Sequence, residues 1–174
     1  MKEILLKEYE TLKSEQLTRI KHRDNIIYVL LGAVGTLFSF AIIHKANYVV
    51  AIIPMISFVL CWLYLSNDRK ISEIGAYITE DLSSKLAKII DDKNDEVFYW
   101  EKKHKTYSGR KRRKLIQFIV DILVFALPAL AGALMIQIQI NHNFLVYVVD
   151  LAFFIGIIVL FVYHYTNKDI TQEE

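Results

Sequence analysis

Two aspartates interrupt long uncharged stretches of this sequence, and they are the residues whose type and position suit chemistry best. Asp121 lies in the apolar stretch 115–140, and Asp150 lies in the stretch 144–165. Carboxyl groups in such spans are costly and usually face a bundle interior or water, where they mark proton or ion pathways. If copies of the chain assemble around an axis, either aspartate would form a ring that favours cations.

A structural role is the alternative for each aspartate. Gln117 and Lys114 share a helical face with Asp121, so Lys114 or Arg113 can reach back towards the carboxylate. Asp150 has fewer such neighbours. It is either a neutral side chain that is hydrogen-bonded to another helix or a side chain that faces water. The two aspartates are expected at different depths, too far apart to share a proton within one chain.

Four apolar stretches must position these residues. Their predicted bounds are Ile26–Ile43, Tyr48–Leu65, Leu115–Ile140 and Phe144–Tyr165. Each is close to the ~20 residues that a helix needs to cross ~30 Å of hydrocarbon. A barrel would need alternating strands of ~10 residues, whereas these runs are continuous. The sequence therefore predicts an all-α polytopic membrane protein with four transmembrane helices arranged as two hairpins.

Composition excludes several classes of protein. Of 174 residues 54% are hydrophobic, and the mean hydropathy is +0.30, so the chain is too apolar for intrinsic disorder. Cys61 is alone, which excludes a disulfide scaffold. The sequence contains no P-loop, dinucleotide-binding or zinc-protease motif, and its five histidines are scattered over both predicted membrane sides. We expect no enzyme activity, no cofactor and no metal site.

Basic residues predict the orientation. Segment 1–24 holds six Lys and Arg, segment 66–114 holds thirteen, and the turns between paired spans hold at most one. The positive-inside rule then predicts that both termini and the central segment lie on the cytoplasmic side of the membrane, which we expect to be a bacterial inner membrane. The predicted parts are a helix at 1–24, hairpins at 25–65 and 115–165, a stalk at 66–114 and a tail at 166–174. Aromatic residues at the inner ends fit a membrane-interface belt: Tyr28, Trp62, Tyr64, Tyr163 and Tyr165.

The segment after the second span carries an apolar stripe at helical spacing: Ile71, Ile74, Ile78, Leu82, Leu86 and Ile89. We expect this stripe to pack on the helix at 1–24, which forms a cytoplasmic stalk. An oligomer seam or a groove for a partner helix is the alternative. Phe98 and Trp100 lie nearby in a charged stretch, and they either pack on the stalk or bind a cytosolic protein.

Two further sets of residues suggest contacts. The basic cluster that precedes the third span is suited to anionic lipid headgroups: Arg110, Lys111, Arg112, Arg113 and Lys114. A net charge of only +2 and the lack of a recognised module speak against nucleic acid. Small residues at helical spacing suggest close helix packing, within or between chains: Gly32, Gly35, Ser39, Ala152 and Gly156.

The motifs Glu8-Tyr9-Glu10, Ile74-Gly75-Ala76-Tyr77-Ile78 and Trp100-Glu101 resemble those of a set of uncharacterised bacterial multi-span membrane proteins. In layout the chain is more distantly similar to SLATT-type predicted pore-forming defence effectors, which have a membrane hairpin between two cytoplasmic helices. It departs from them by its second hairpin. The resemblance implies a membrane effector of a prokaryotic conflict system.

The leading hypothesis is therefore a homo-oligomeric inner-membrane pore or membrane-disrupting effector, and the resemblance implies a role in anti-phage defence. The alternative is a non-conducting scaffold that recruits a cytosolic partner through residues 66–114.

Overall fold

The computed structural model describes residues 1–90, 97–98, 110–139 and 144–170, and this part of the chain contains helices and turns but no strand. The α-helices of the described residues are α1 (Lys2–His44), α2 (Ile52–Tyr77), α3 (Ser83–Ile90), α4 (Arg110–Gln139) and α5 (Phe144–Ile170). A 3₁₀ turn (Asn47–Ala51) precedes α2, and a π-helical turn (Ile78–Leu82) joins α2 to α3. Four helical stretches are long and apolar enough to cross a membrane: Lys2–His44, Asn47–Ile90, Leu115–Met135 and Phe144–Thr166. The predicted all-α class is confirmed.

Helix α1 is continuous because no proline or glycine separates its charged first half from its apolar second half. It ends at Lys45, which has a left-handed φ of 53°. The amide of Ala46 then donates to the carbonyl of Ala41 at 3.1 Å, the long bond of a Schellman cap. The chain continues through the 3₁₀ turn, so α2 begins four residues later than the span predicted from Tyr48.

The π-helical turn has a cause in the sequence. Between Ile74 and Leu86 the apolar residues follow one another at three successive intervals of four. An α-helix has 3.6 residues per turn, so such a run drifts around the helix by about 40° at each step. A π turn takes up the extra residue, and Ile78, Leu82 and Leu86 all remain buried. The hydroxyl groups of Thr79 and Ser83 donate back to carbonyls of the preceding turn.

The chain divides into two compact units. Unit 1 comprises residues 1–23 and 66–114, and unit 2 comprises residues 24–65 and 115–174.

Unit 1 joins the first half of α1 to the end of α2 through polar contacts. Gln16 donates to the carbonyl of Ile71 at 3.2 Å, and the hydroxyl of Tyr77 donates to Glu8 at 2.8 Å. Arg23 and Asp68 form an ion pair at 3.1 Å, in which both side chains are less than one third exposed. The apolar stripe is thus covered within the unit at its centre, although Ile89 at its end is 44% exposed.

Unit 2 contains the apolar core. Residues of α1, α2, α4 and α5 bury their side chains in one cluster: Leu30, Cys61, Tyr64, Leu65, Phe125, Ala126, Ala129, Ile157 and Phe161. A second cluster is formed by Ala41, Val50 and Ile53. These clusters fix which faces of the four helices point inwards, and both aspartates lie on such faces.

Candidate functional site

Asp121 is the centre of a hydrogen-bonded network that links three helices of unit 2. Its side chain is 3% exposed. Oδ1 accepts from the Tyr64 hydroxyl at 3.0 Å and from Gln117 Nε2 at 2.8 Å, and Oδ2 accepts from the Tyr165 hydroxyl at 2.9 Å. Gln117 Nε2 also lies 3.2 Å from the Tyr64 hydroxyl. We call these four residues the Asp121 clamp.

Aromatic packing holds the two tyrosines of the Asp121 clamp in place. The Tyr64 ring lies 5.2 Å from the ring of Phe125, which is one turn after Asp121 on α4. The Tyr165 ring meets the Phe118 ring edge-on at 4.9 Å. Both hydroxyl groups therefore reach the carboxylate from rings that are fixed by contacts with the same helix.

The Asp121 clamp is suited to an ionised carboxylate. Hydrogen bonds from an amide and hydroxyl groups favour the charged form of the acceptor, because a protonated acid would have to give up one acceptor position. A buried charge is tolerated only where hydrogen bonds or an opposite charge satisfy it, and three donors reach the oxygens of Asp121. The clamp thus joins α2, α4 and α5. Asp121 and Gln117 are the two members that the sequence predicts as intramembrane polar residues.

Tyr64 and Tyr165 were predicted to lie in a membrane-interface belt, and this interpretation was wrong for Tyr64. Its side chain is 2% exposed and lies inside the bundle, whereas Tyr28, Trp62 and Tyr163 are each more than half exposed. A signal was present in the sequence. Tyr64 lies three residues after Cys61, and both fall on the face of α2 that is buried.

Asp150 has very different surroundings from those of Asp121. It is also 3% exposed, yet its Oδ2 has no hydrogen-bond partner within the described part of the chain. The hydroxyl of Ser57, fully buried on α2, likewise has none among the described residues. Asp150 precedes the clamp residue Tyr165 by 15 positions on α5, which is ~22 Å of helix rise. The two carboxyl groups are therefore separate sites within the same bundle.

The small residues fall into two groups. A Cβ atom built on Gly156 would lie 2.8 Å from Cε2 of Phe58, so this glycine marks a close contact between α5 and α2. Gly32 and Gly35 would have nothing within 4 Å, and Ser39 and Ala152 are exposed. A further close contact, not singled out from the sequence, is at Gly132, where a Cβ would lie 3.2 Å from the carbonyl oxygen of Val50.

The open glycines of α1 lie in a shallow groove of about 560 Å³. All of its lining residues belong to this one helix: Leu31, Gly32, Gly35, Thr36, Ser39, Phe40, Ile43 and His44. We call this surface the α1 groove. Within the 18-residue apolar segment of α1 only 11% of the residues are buried, whereas 39% are buried in the corresponding segment of the stretch Asn47–Ile90, which contains α2. The other described helices leave this face of α1 uncovered.

Phe98 stacks on Tyr9, with ring centroids 4.3 Å apart and an interplanar angle of 17°. Its backbone has a φ of 54°, which bulky residues rarely adopt. Trp100 lies outside the described residues. In the basic cluster Arg112 is exposed, while the side chains at 110, 111, 113 and 114 are outside the description.

Among the described residues no group of three or more His, Cys, Asp or Glu side chains is placed to hold a metal ion. Comparison with protein-family models, with curated proteins and with solved structures finds no match to this chain.

Proposed function

We propose that this chain is a multi-pass protein of the bacterial inner membrane that assembles through the α1 groove into a homo-oligomeric pore or membrane-disrupting effector. The observation that carries this proposal is the uncovered small-residue face of α1. In lipid, helices associate by close packing rather than by hydrophobicity, and faces with glycine and serine let two backbones approach. Gly32 and Gly35 have this character, and a Cβ built on either would have nothing within 4 Å outside its own helix in the part of the chain that the structure describes.

The polar content of the α1 groove supports a pore over a purely structural seam. Thr36 and Ser39 are hydroxyl residues in an otherwise apolar stretch, and His44 lies at its end. When copies of α1 surround an axis, these side chains line it. The Asp121 clamp holds α2, α4 and α5 together within each copy, because the tyrosine hydroxyl groups that donate to its carboxylate belong to the same chain.

The orientation and the setting rest on the sequence. The excess of basic residues in segments 1–24 and 66–114 supports a cytoplasmic location for both. A cluster such as Arg110–Lys114 at the start of a helix opposes the helix dipole, so its role is better explained by contact with anionic lipid headgroups. The resemblance to SLATT-type effectors is the basis for proposing a role in anti-phage defence.

The scaffold alternative is less well supported. It uses the stripe in segment 66–114, but Ile78, Leu82 and Leu86 are at most 6% exposed, so these side chains are not free to bind a partner. Phe98 is likewise engaged with Tyr9.

The test combines oligomer size in nanodiscs, by native mass spectrometry, with conductance in planar bilayers. Gly35→Leu projects into the α1 groove from a position where a Cβ has nothing within 4 Å outside its own helix among the described residues, so we expect it to abolish both the oligomer and the current. Ala152→Leu, at an exposed position on α5, is the matched control and should change neither. A monomeric wild-type protein, or an oligomer lost in Ala152→Leu and kept in Gly35→Leu, would refute the seam. A stable oligomer without current under any trigger would refute the pore.

A further inference from the structure

Two buried polar oxygens of unit 2 have no hydrogen-bond partner among the described residues: Asp150 Oδ2 on α5 and Ser57 Oγ on α2. Ser57 is 0% exposed, and Asp150 is 3% exposed. Buried polar groups are nearly always paired, so an unpaired one needs an explanation such as an unrecorded water, an ion or a proton. Two of them in one bundle suggest a common explanation.

The aromatic contacts place both oxygens at a similar height in the bundle. The ring of Phe58, next to Ser57, lies 5.5 Å from the ring of Phe153, which is three residues after Asp150. The Phe58 ring also touches Gly156, one turn further along α5. Ser57 and Asp150 thus lie on neighbouring helices, separated by about one turn, or ~5 Å, in height.

Asp150 forms no ion pair with a described basic residue, and the basic residues at the end of α1, His44 and Lys45, lie outside the apolar segment of that helix. The α4 segment 122–135 has no titratable side chain, and the α2 segment 52–63 has only Cys61. In the α1 segment 26–43 the only one is Tyr28, which is 72% exposed. On α5 itself the nearest is Tyr147, one turn before Asp150. An isolated carboxylate in apolar surroundings costs far more than a neutral acid, so the proton is the cheapest counterion.

We propose that Asp150 and Ser57 form a proton-binding site, in which Asp150 is held as a neutral carboxylic acid and its proton is donated towards the Ser57 hydroxyl through one bound water. The bundle then carries two carboxyl groups in opposite states. Asp121 is ionised because donors surround it, and Asp150 is protonated because none do. This inference does not depend on the α1 groove, since every residue that it uses lies inside one chain.

Infrared spectroscopy of the full chain in lipid vesicles at neutral pH tests the site. A protonated carboxyl group has a C=O stretching band that a carboxylate lacks, and all acidic residues other than Asp121 and Asp150 lie outside the four apolar stretches. We expect this band in the wild type, its loss in Asp150→Asn and its retention in the matched variant Asp121→Asn. Ser57→Ala should keep the band but shift it towards the frequency of an acid without a hydrogen bond.

Three results would overturn the proposal. The first is the absence of the band in the wild type at neutral pH. The second is a band lost in Asp121→Asn and kept in Asp150→Asn. The third is a band that disappears when Na⁺ or K⁺ replaces choline at constant pH, which would identify a cation site instead. Tryptophan fluorescence and circular dichroism of each variant, equal to those of the wild type, show that the loss of a band does not reflect unfolding.

Discussion

Tyr165→Phe isolates one hydrogen bond of the Asp121 clamp. The substitution removes only the hydroxyl that donates to Oδ2 at 2.9 Å, and it keeps the ring that packs on Phe118. A hydrogen bond to a charged group contributes about 1.5–3 kcal/mol in soluble proteins, whereas side-chain bonds within a membrane average ~0.6 and reach ~1.7 kcal/mol. The acceptor here is a buried carboxylate, so we expect a loss of about 1–2 kcal/mol in the free energy of unfolding.

The assay is equilibrium unfolding in mixed micelles with sodium dodecyl sulfate as denaturant, followed by tryptophan fluorescence. Tyr163→Phe is the matched control, because Tyr163 lies two residues away on α5 and is 59% exposed. Its expected cost is below ~0.5 kcal/mol. Repeating Tyr165→Phe in an Asp121→Ala background completes a double-mutant cycle, which should give a coupling energy of about 1 kcal/mol or more. Equal costs for the two tyrosines, or a coupling energy near zero, would refute the clamp.

Three further predictions concern other parts of the chain. Gly132→Ala should lower the stability by about 1–3 kcal/mol because its Cβ meets a backbone carbonyl at 3.2 Å. Gly35→Ala, whose Cβ meets no described atom outside its own helix, should be neutral or stabilise the monomer by up to ~1 kcal/mol. The same unfolding assay compares them at a detergent ratio that keeps the protein monomeric. The hydrogen bond to Glu8 raises the pKa of Tyr77, so its contribution to stability is complete below the ordinary tyrosine pKa of ~10 and is lost as the pH rises through the higher value of the folded state. Glu8→Ala should lower this pKa. The titration of Tyr77 is obtained from phenolate absorbance by subtracting the curve of a Tyr77→Phe variant from that of the same protein with Tyr77. A Tyr77 titration that is unchanged by Glu8→Ala would contradict the contact. Deletion of Glu80 should convert the π turn into an α turn and leave the unfolding free energy within ~1 kcal/mol of the wild type, whereas a one-residue deletion in the α-helical turn before it should cost several times more.

The helices themselves could be predicted because their cause is local. A run of 18 or more apolar residues must satisfy its own backbone in lipid, and this depends only on the order of residue types along the chain. The continuity of α1 from Lys2 to His44 follows from the absence of proline and from the position of its two glycines, Gly32 and Gly35, inside the apolar half, where the backbone must satisfy itself. The π turn also has a local cause, since the spacing of the apolar stripe from Ile74 to Leu86 exceeds the α-helical repeat. This turn is therefore predictable from those intervals.

Which helix faces pack against one another is decided by the tertiary structure and could not be predicted from the sequence. Tyr64 and Tyr165 lie 57 and 44 positions from Asp121. The spacing of Tyr64 after Cys61 indicates a shared helix face, but no pattern in the sequence pairs either tyrosine with this carboxylate. The glycines show the same limit, because Gly132 contacts a carbonyl while Gly35 faces open space.

The sequence by itself determined the number, length and apolar character of the helices, since these are sums over neighbouring residues. The three-dimensional packing decided which aspartate is satisfied and which is left without a partner, since that depends on how far each helix is rotated about its axis. A rotation of 100° per residue moves a side chain from the core to the surface within one or two positions, and only contacts with other helices fix it.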